Sequence, residues 1–166
     1  MACGSQYAIQ THESDVTTDL CYSTSLIRER ASWMQDNFDV LKDKTPQQLS
    51  LPASHDSGMY ISALGKTQHK DIYDQLAYGI RYFDLRPGWN GYSIMIFHGA
   101  IPGPSFSSVL ADIQRFMSEG HRELAIVKIS HYKGFTAEIY DSMVQMITDK
   151  LGPWLVKELQ IGRAHV

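Results

Sequence analysis

The chain is short of cysteine, of charge of one sign and of long apolar runs, and each shortage removes a class of function. Two cysteines, Cys3 and Cys21, are too few for a disulfide scaffold and lack metal-type spacing; one bridge between them and two reduced thiols both stay open. A net charge of -3 and a pI near 6.1 argue against a dedicated nucleic-acid binder and against broad attraction to an acidic membrane. No apolar stretch approaches the roughly 20 residues that a membrane-spanning helix needs. The N-terminus, Met1 to Asp19, is polar and lacks the apolar block of a signal peptide. That favours a cytoplasmic or peripheral membrane protein, or a secreted one whose true start is missing.

What is present is enough for a core. Hydrophobic residues make up 43% of the chain and charged residues 20%, which places it among globular rather than disordered sequences. The length suits one domain. Residues 1–24 are rich in Ser, Thr and Asp without periodicity and read as an extension. The domain is expected over 25–160. The last six residues, 161–166, match the translation of a sequencing adapter (ATC-GGA-AGA-GCA-CAC-GTC) and are set aside as a processing scar. The natural chain is then expected to continue past Gln160.

Along the domain, strand and helix patterns alternate. Residues 25–38 read as a helix, and Leu49, Leu51 and Ala53 alternate with polar residues as a short first strand. A helix over 71–78 closes at Gly79. A second strand, 80–85, ends at Arg86-Pro87-Gly88, and an apolar third strand, 92–97, suits burial on both faces. In the 105–119 helix, Val109, Ile113, Phe116 and Met117 share one face. A fourth strand follows at 124–129. A last helix, 136–151, carries Ile139, Met143, Ile147 and Leu151 at successive i+4 positions. Connections too long for hairpins predict parallel strands joined by crossover helices, hence an α/β fold; periodicity does not separate an open sheet from a barrel.

The polar residues of these apolar strands gather at one end. His55 and Asp56 follow the first strand, Asp84 and Arg86 end the second, His98 ends the third, and His131 follows the fourth. In a parallel α/β fold the strand C-termini share one edge, where active sites form. Two histidines can divide the removal and return of a proton. Arginine offers a permanent charge and a donor fork suited to phosphate. Carboxylates beside histidines orient the rings. The set points to phosphoryl transfer at a diester, with His55, His98, Arg86, Asp56 and Asp84 as the candidate site. His131 is expected at the rim or in the core, Lys128 only weakly at the site edge, and His12, His69 and His121 in solvent.

These residues also carry a resemblance. Leu51-Pro52-Ala53-Ser54-His55-Asp56-Ser57-Gly58 resembles the Pro-Gly-Thr-His-Asp-Ser-Gly motif of the phosphatidylinositol-specific phospholipase C X domain. Gln75-Leu76-Ala77-Tyr78-Gly79-Ile80-Arg81-Tyr82-Phe83-Asp84-Leu85-Arg86 resembles its second motif, Gln-Leu-x-x-Gly-x-Arg-x-x-Asp-x-Arg. Phe97-His98-Gly99 with Val109-Leu110-x-Asp112-Ile113-x-x-Phe116, and Glu123 to Val127, are similar to the third and fourth. The match runs in order from Trp33 to His131.

The resemblance implies about the N-terminal half of a (β/α) TIM-type barrel acting on a phosphoinositide at a membrane surface. His55 would be the general base on the inositol 2-hydroxyl and His98 the general acid toward the diacylglycerol oxygen. Asp56 would support His98, and Arg86, with Asp84 beside it, would contact the phosphate. The products would be diacylglycerol and a cyclic inositol phosphate. Calcium-dependent members carry Asn after the first histidine, Asp where this chain has Arg86, and Glu at the position aligned with Ser130. The chain is therefore similar to the metal-independent, bacterial-type branch, and no metal or cofactor is expected. It departs from the pattern with Ala53-Ser54 for Gly-Thr. Bacterial-type members also orient the first histidine with an Asp on a late strand, which the 25–160 segment does not supply. A metal-dependent phosphodiesterase on a similar barrel and a non-catalytic phospholipid-binding module stay open as alternatives. Met59, Tyr60, Ile61, Trp89 and a turn at 101–104 are expected in loops at the site edge, either walling a head-group pocket or packing under loops.

Overall fold

In the computed structural model of the protein, residues 30–156 are described. The extension 1–24 with both cysteines and His12, the start of the helix expected over 25–38, and the tail 161–166 lie outside them.

Two three-stranded sheets organise the chain. The first is parallel, in the order β1 (Ala53–Ser54), β2 (Tyr82–Leu85), β6 (Ile126–Ile129). The second is antiparallel, in the order β3 (Pro87–Trp89), β4 (Ile94–His98), β5 (Ile101–Ser105). The all-parallel expectation is thus half corrected. The second strand ends at Leu85 as expected, but after a break at Arg86 the chain resumes as β3. Proline has no N–H to give the ladder, which explains an interruption at this point. Gly88 continues the parallel run by bridging to Lys133, so β3 carries on the line of β2. The expected turn at 101–104 is strand β5, and the third strand is the middle of a hairpin rather than a parallel strand. Gly88 makes this hairpin possible, because a Cβ there would sit 2.5 Å from the Phe97 ring.

The helices follow their caps. Helix α3 (Ile72–Ala77) starts where the Asp71 side chain accepts the Asp74 N–H and ends at Gly79, whose φ of 97° suits glycine. Ser105 caps α4 (Phe106–Ser118) and Thr136 caps α5 (Ala137–Leu151) in the same way. In its described part, the helix expected over 25–38 is instead a 3-10 turn at Arg30–Ser32 followed by two short turns, α1 (Trp33–Asp36) and α2 (Phe38–Leu41), divided at Asn37. The first strand shrinks to two residues. Leu76 from α3, Val109, Ile113 and Phe116 from α4, and Met143 and Leu151 from α5 bury against Phe83, Leu85, Ile94 and Ile96 of the sheets. Each such side chain contributes about 1.5–3 kcal/mol by leaving water.

At the N-terminal end of β2, Arg81 is fully buried. Its Nε and one terminal nitrogen donate to Glu123 Oε2 at 2.8 and 2.7 Å, and the other guanidinium hydrogens reach the carbonyls of Leu76, Ile80, Arg30 and Ala31. Glu123 also accepts the N–H groups of Met34 and Gln35. His121, expected in solvent, instead stacks on Phe116 with ring centres 4.4 Å apart, because the turn after Gly120 folds it back over the core. His69 is exposed as expected.

Candidate active site

The site forms at the opposite end of β2. After β1 the chain turns sharply, with Asp56 in the left-handed region at φ 46°. Ser57 fastens this turn to β2. Its Oγ accepts the Asp84 N–H at 2.8 Å and donates to the Ser54 carbonyl at 2.7 Å, while its own N–H donates to the Asp84 carbonyl at 2.9 Å. Thr67 donates to the Asp56 carbonyl, Gln68 to that of His55, and Gln75 to that of Ser57. The turn is therefore held from three sides before any ligand arrives.

All five candidate residues meet there. The Asp56 carboxylate is fully buried and has no hydrogen bond of good geometry among the described residues. One cation and two imidazole rings surround it instead: Arg86 Nε lies 2.7 Å from Oδ1, and His55 Nδ1 and His98 Nε2 lie 3.5 and 3.6 Å from Oδ2. One carboxylate thus stands between both histidines, where support of His98 alone was expected. The His55 and His98 side chains stay 71% and 45% exposed, so both rings are open to a substrate.

Arg86 joins the two strand ends. It donates to Asp84 Oδ2 through Nε at 3.1 Å and through a terminal nitrogen at 2.8 Å, and that nitrogen lies 2.9 Å from His55 Nε2. Guanidinium is always a donor, so His55 Nε2 accepts, and the neutral ring carries its proton on Nδ1, toward Asp56. Asp84 feels opposing effects. Burial pushes its carboxyl up, but the Arg86 hydrogen bonds and charge, the Asp56 backbone N–H and Lys128 outweigh it, and the net direction is down.

His98 arrives by a route the alternation of elements did not predict. It does not end a parallel strand. The β3–β4 hairpin turns the chain back, and the Phe97 N–H donates to the Arg86 carbonyl at 2.9 Å, which returns His98 to the level of the β2 C-terminus.

Ligand atoms of His55, Asp56 and Asp84 lie within 4.8 Å of one another, a spacing open to a metal ion. The group does not fit one well, because Arg86 already lies against both carboxylates and a divalent ion would meet a fixed like charge. Of the expected rim residues, Ile61 is exposed, Tyr60 and Trp89 are half-buried, and Met59 is fully buried in the core. Lys128 is exposed on β6, opposite Asp84 in register. Thr67 and Gln68 gave no signal in the sequence, since their role comes from a loop of irregular pattern. Ser57 and Gln75 sat inside recognisable motifs, but as buried clamps rather than as chemistry.

No family model matches the chain. It is 31% identical over 148 residues to a PI-PLC X-box domain-containing protein of Dictyostelium discoideum, covering 76% of this chain and 20% of the relative. It is 34% identical over 90 residues to the 1-phosphatidylinositol phosphodiesterase of Listeria monocytogenes, covering 49% of this chain and 27% of that protein. The chain spans about a fifth of the length of the Dictyostelium relatives it matches. Among solved structures, the phosphatidylinositol-specific phospholipase C of Listeria monocytogenes superposes with a TM-score of 0.58 at 27% identity, over 76% of this chain and 47% of that one. A Staphylococcus aureus phosphatidylinositol-specific phospholipase C gives 0.62 at 22% identity, over 76% and 46%, a likeness of fold.

Proposed function

We propose, for a chain related to the phosphatidylinositol-specific phospholipase C X-domain proteins, that it carries the catalytic edge of a metal-independent phosphodiesterase acting on a phosphoinositide. The domain over 25–160 is then about the N-terminal half of a (β/α) barrel, with 1–24 as an extension and 161–166 foreign to it. The observation that carries the reading is the buried Asp56 carboxylate within 3.6 Å of His98, 3.5 Å of His55 and 2.7 Å of Arg86.

In this reading, the substrate phosphate draws the Arg86 guanidinium onto its oxygens and so uncovers His55 Nε2. His55 takes the proton of the head-group hydroxyl next to the phosphoester. That oxygen attacks phosphorus, the bond to the glycerol oxygen breaks, and His98 delivers a proton to the leaving oxygen. The products are diacylglycerol and a cyclic inositol phosphate. Asp56 steadies both rings and the charge each gains in turn, and Asp84 keeps Arg86 aimed between them. Arg86 supplies the positive charge that a metal ion would otherwise bring.

The test is release of cyclic inositol phosphate from phosphatidylinositol vesicles by the full-length gene product. Activity survives EDTA and falls at least about a hundredfold in His55→Ala and in His98→Ala. Loss of activity in chelator would transfer the site to the metal-dependent reading. Vesicle binding without turnover would make the protein a binding module.

A further inference from the structure

Asp56 and His131 are the two non-glycine residues with positive φ among the described residues, at 46° and 57°. Both stand just beyond a strand of the parallel sheet, Asp56 two residues after β1 and His131 two residues after β6. A left-handed backbone at a residue with a Cβ costs energy and persists where the surroundings impose it, most often at working sites. Asp56 is already at the centre of the proposed site. His131 has no part in the chemistry above, yet it is wired to the same residues. Ser130, whose N–H donates to the Leu85 carbonyl at 3.1 Å, places its Oγ 3.4 Å from Asp84 Oδ1 and 2.9 Å from His131 Nδ1.

The direction of these bonds follows from what each atom can do. Asp84, held ionised by Arg86, only accepts, so the Ser130 hydroxyl donates to it. The Ser130 oxygen is then free to accept, and His131 donates its Nδ1 proton. A neutral His131 is left with a bare Nε2, an acceptor, on an exposed ring. At a phosphodiester site already rich in cationic donors, an acceptor of this kind suits a hydroxyl rather than a phosphate.

We infer that His131 is a specificity-determining residue which accepts, through Nε2, a hydrogen bond from a hydroxyl of the polyol head group, with Ser130 as the positioning residue that sets its tautomer. This rests on the phosphodiesterase reading of the site and adds a substrate contact to it.

Two arms separate the inference from its premise. In the first, histidine-ring nitrogen NMR is recorded on the full chain. His131 is expected in the Nδ1–H tautomer, and its Nε2 resonance moves on addition of myo-inositol but not of cyclohexanol. Ser130→Ala should abolish the tautomer preference and weaken the inositol response about three- to tenfold, the scale of one neutral hydrogen bond. An Nε2–H tautomer, or equal responses to inositol and cyclohexanol, overturns the inference. In the second arm, kcat/KM is compared for phosphatidylinositol and for a diester of cis-1,2-cyclohexanediol. That diester keeps the attacking hydroxyl and lacks the others. His131→Asn, which retains a residue tolerant of left-handed backbone, should lower the inositol-to-cyclohexyl ratio about three- to tenfold; an unchanged ratio refutes the contact. If the parent chain cleaves neither diester, the phosphodiesterase reading falls, while the NMR arm still decides the role of His131.

Discussion

Two arginines five residues apart, one at each end of β2, make opposite use of the same chemistry. Arg81, at the N-terminal end of β2, is sealed. Its guanidinium finds Glu123 and four backbone carbonyls, and Glu123 spends its other capacity on two backbone N–H groups. Arg86, at the C-terminal end, is shared among Asp56, Asp84 and His55 and stays 22% exposed, beside a buried carboxylate that lacks a well-formed hydrogen bond. A completely satisfied ion pair holds α1, the start of β2 and the approach to β6 together and has nothing left for a ligand. An incompletely satisfied one keeps binding capacity in reserve. Burial and charge are common to both clusters; the number of unmet partners is what differs, and it leaves capacity for a ligand at the C-terminal end alone of the two.

The comparison is most easily broken at Arg81. Arg81→Met leaves Glu123 buried without its counter-charge and should cost about 3–5 kcal/mol in urea or thermal unfolding. Arg81→Met/Glu123→Leu should recover most of that loss, and failure to do so would mean that the pair is more than a structural tie. Arg86→Met is the mirror image. It should lower kcat by about a hundred- to a thousandfold, near 2.7–4 kcal/mol of transition-state stabilisation, while the unfolding midpoint moves far less than for Arg81→Met. Equal losses of stability would erase the distinction between the two ends. Ser57→Ala probes the clamp beneath the site and should destabilise by about 1–3 kcal/mol, since the Asp84 N–H loses its acceptor.

The smallest effect concerns pH. The Asp84 carboxyl titrates lower in the folded chain than in the unfolded one, so its contribution is complete above the unfolded value of about 4 and is lost as pH falls through the folded one. Between pH 5 and pH 3, urea midpoints of the parent chain should therefore fall further than those of Asp84→Asn. A larger drop in the variant would reverse the sign assigned to the Arg86 contact.

Much of this was legible in local pattern. The i+4 row of Ile139, Met143, Ile147 and Leu151 and the i+4, i+3 row of Val109, Ile113 and Phe116 identify α5 and α4, and Asp71, Ser105 and Thr136 cap helices where the pattern starts. The five candidate residues converge as their positions at strand ends suggested. What did not show was the hairpin of β3, β4 and β5. Pro87, Gly88, Pro102 and Pro104 carry turn chemistry in isolation, yet sheet pairing and the close approach of Gly88 to Phe97 make strands of them. Short-range periodicity also missed the first strand's brevity, because the ladder to β2 begins only at Ala53, after Pro52, which has no N–H to pair.

Sequence by itself determined which residue types stand at the ends of the apolar segments, since composition and spacing are properties of the chain alone. Tertiary structure decided that Asp56 stands between both histidines, that Arg86 covers His55 Nε2, that His98 returns on an antiparallel strand, and that Ser130 links Asp84 to His131. Those are contacts between residues up to 46 apart in the chain, and their geometry exists only once the sheets have set the distances.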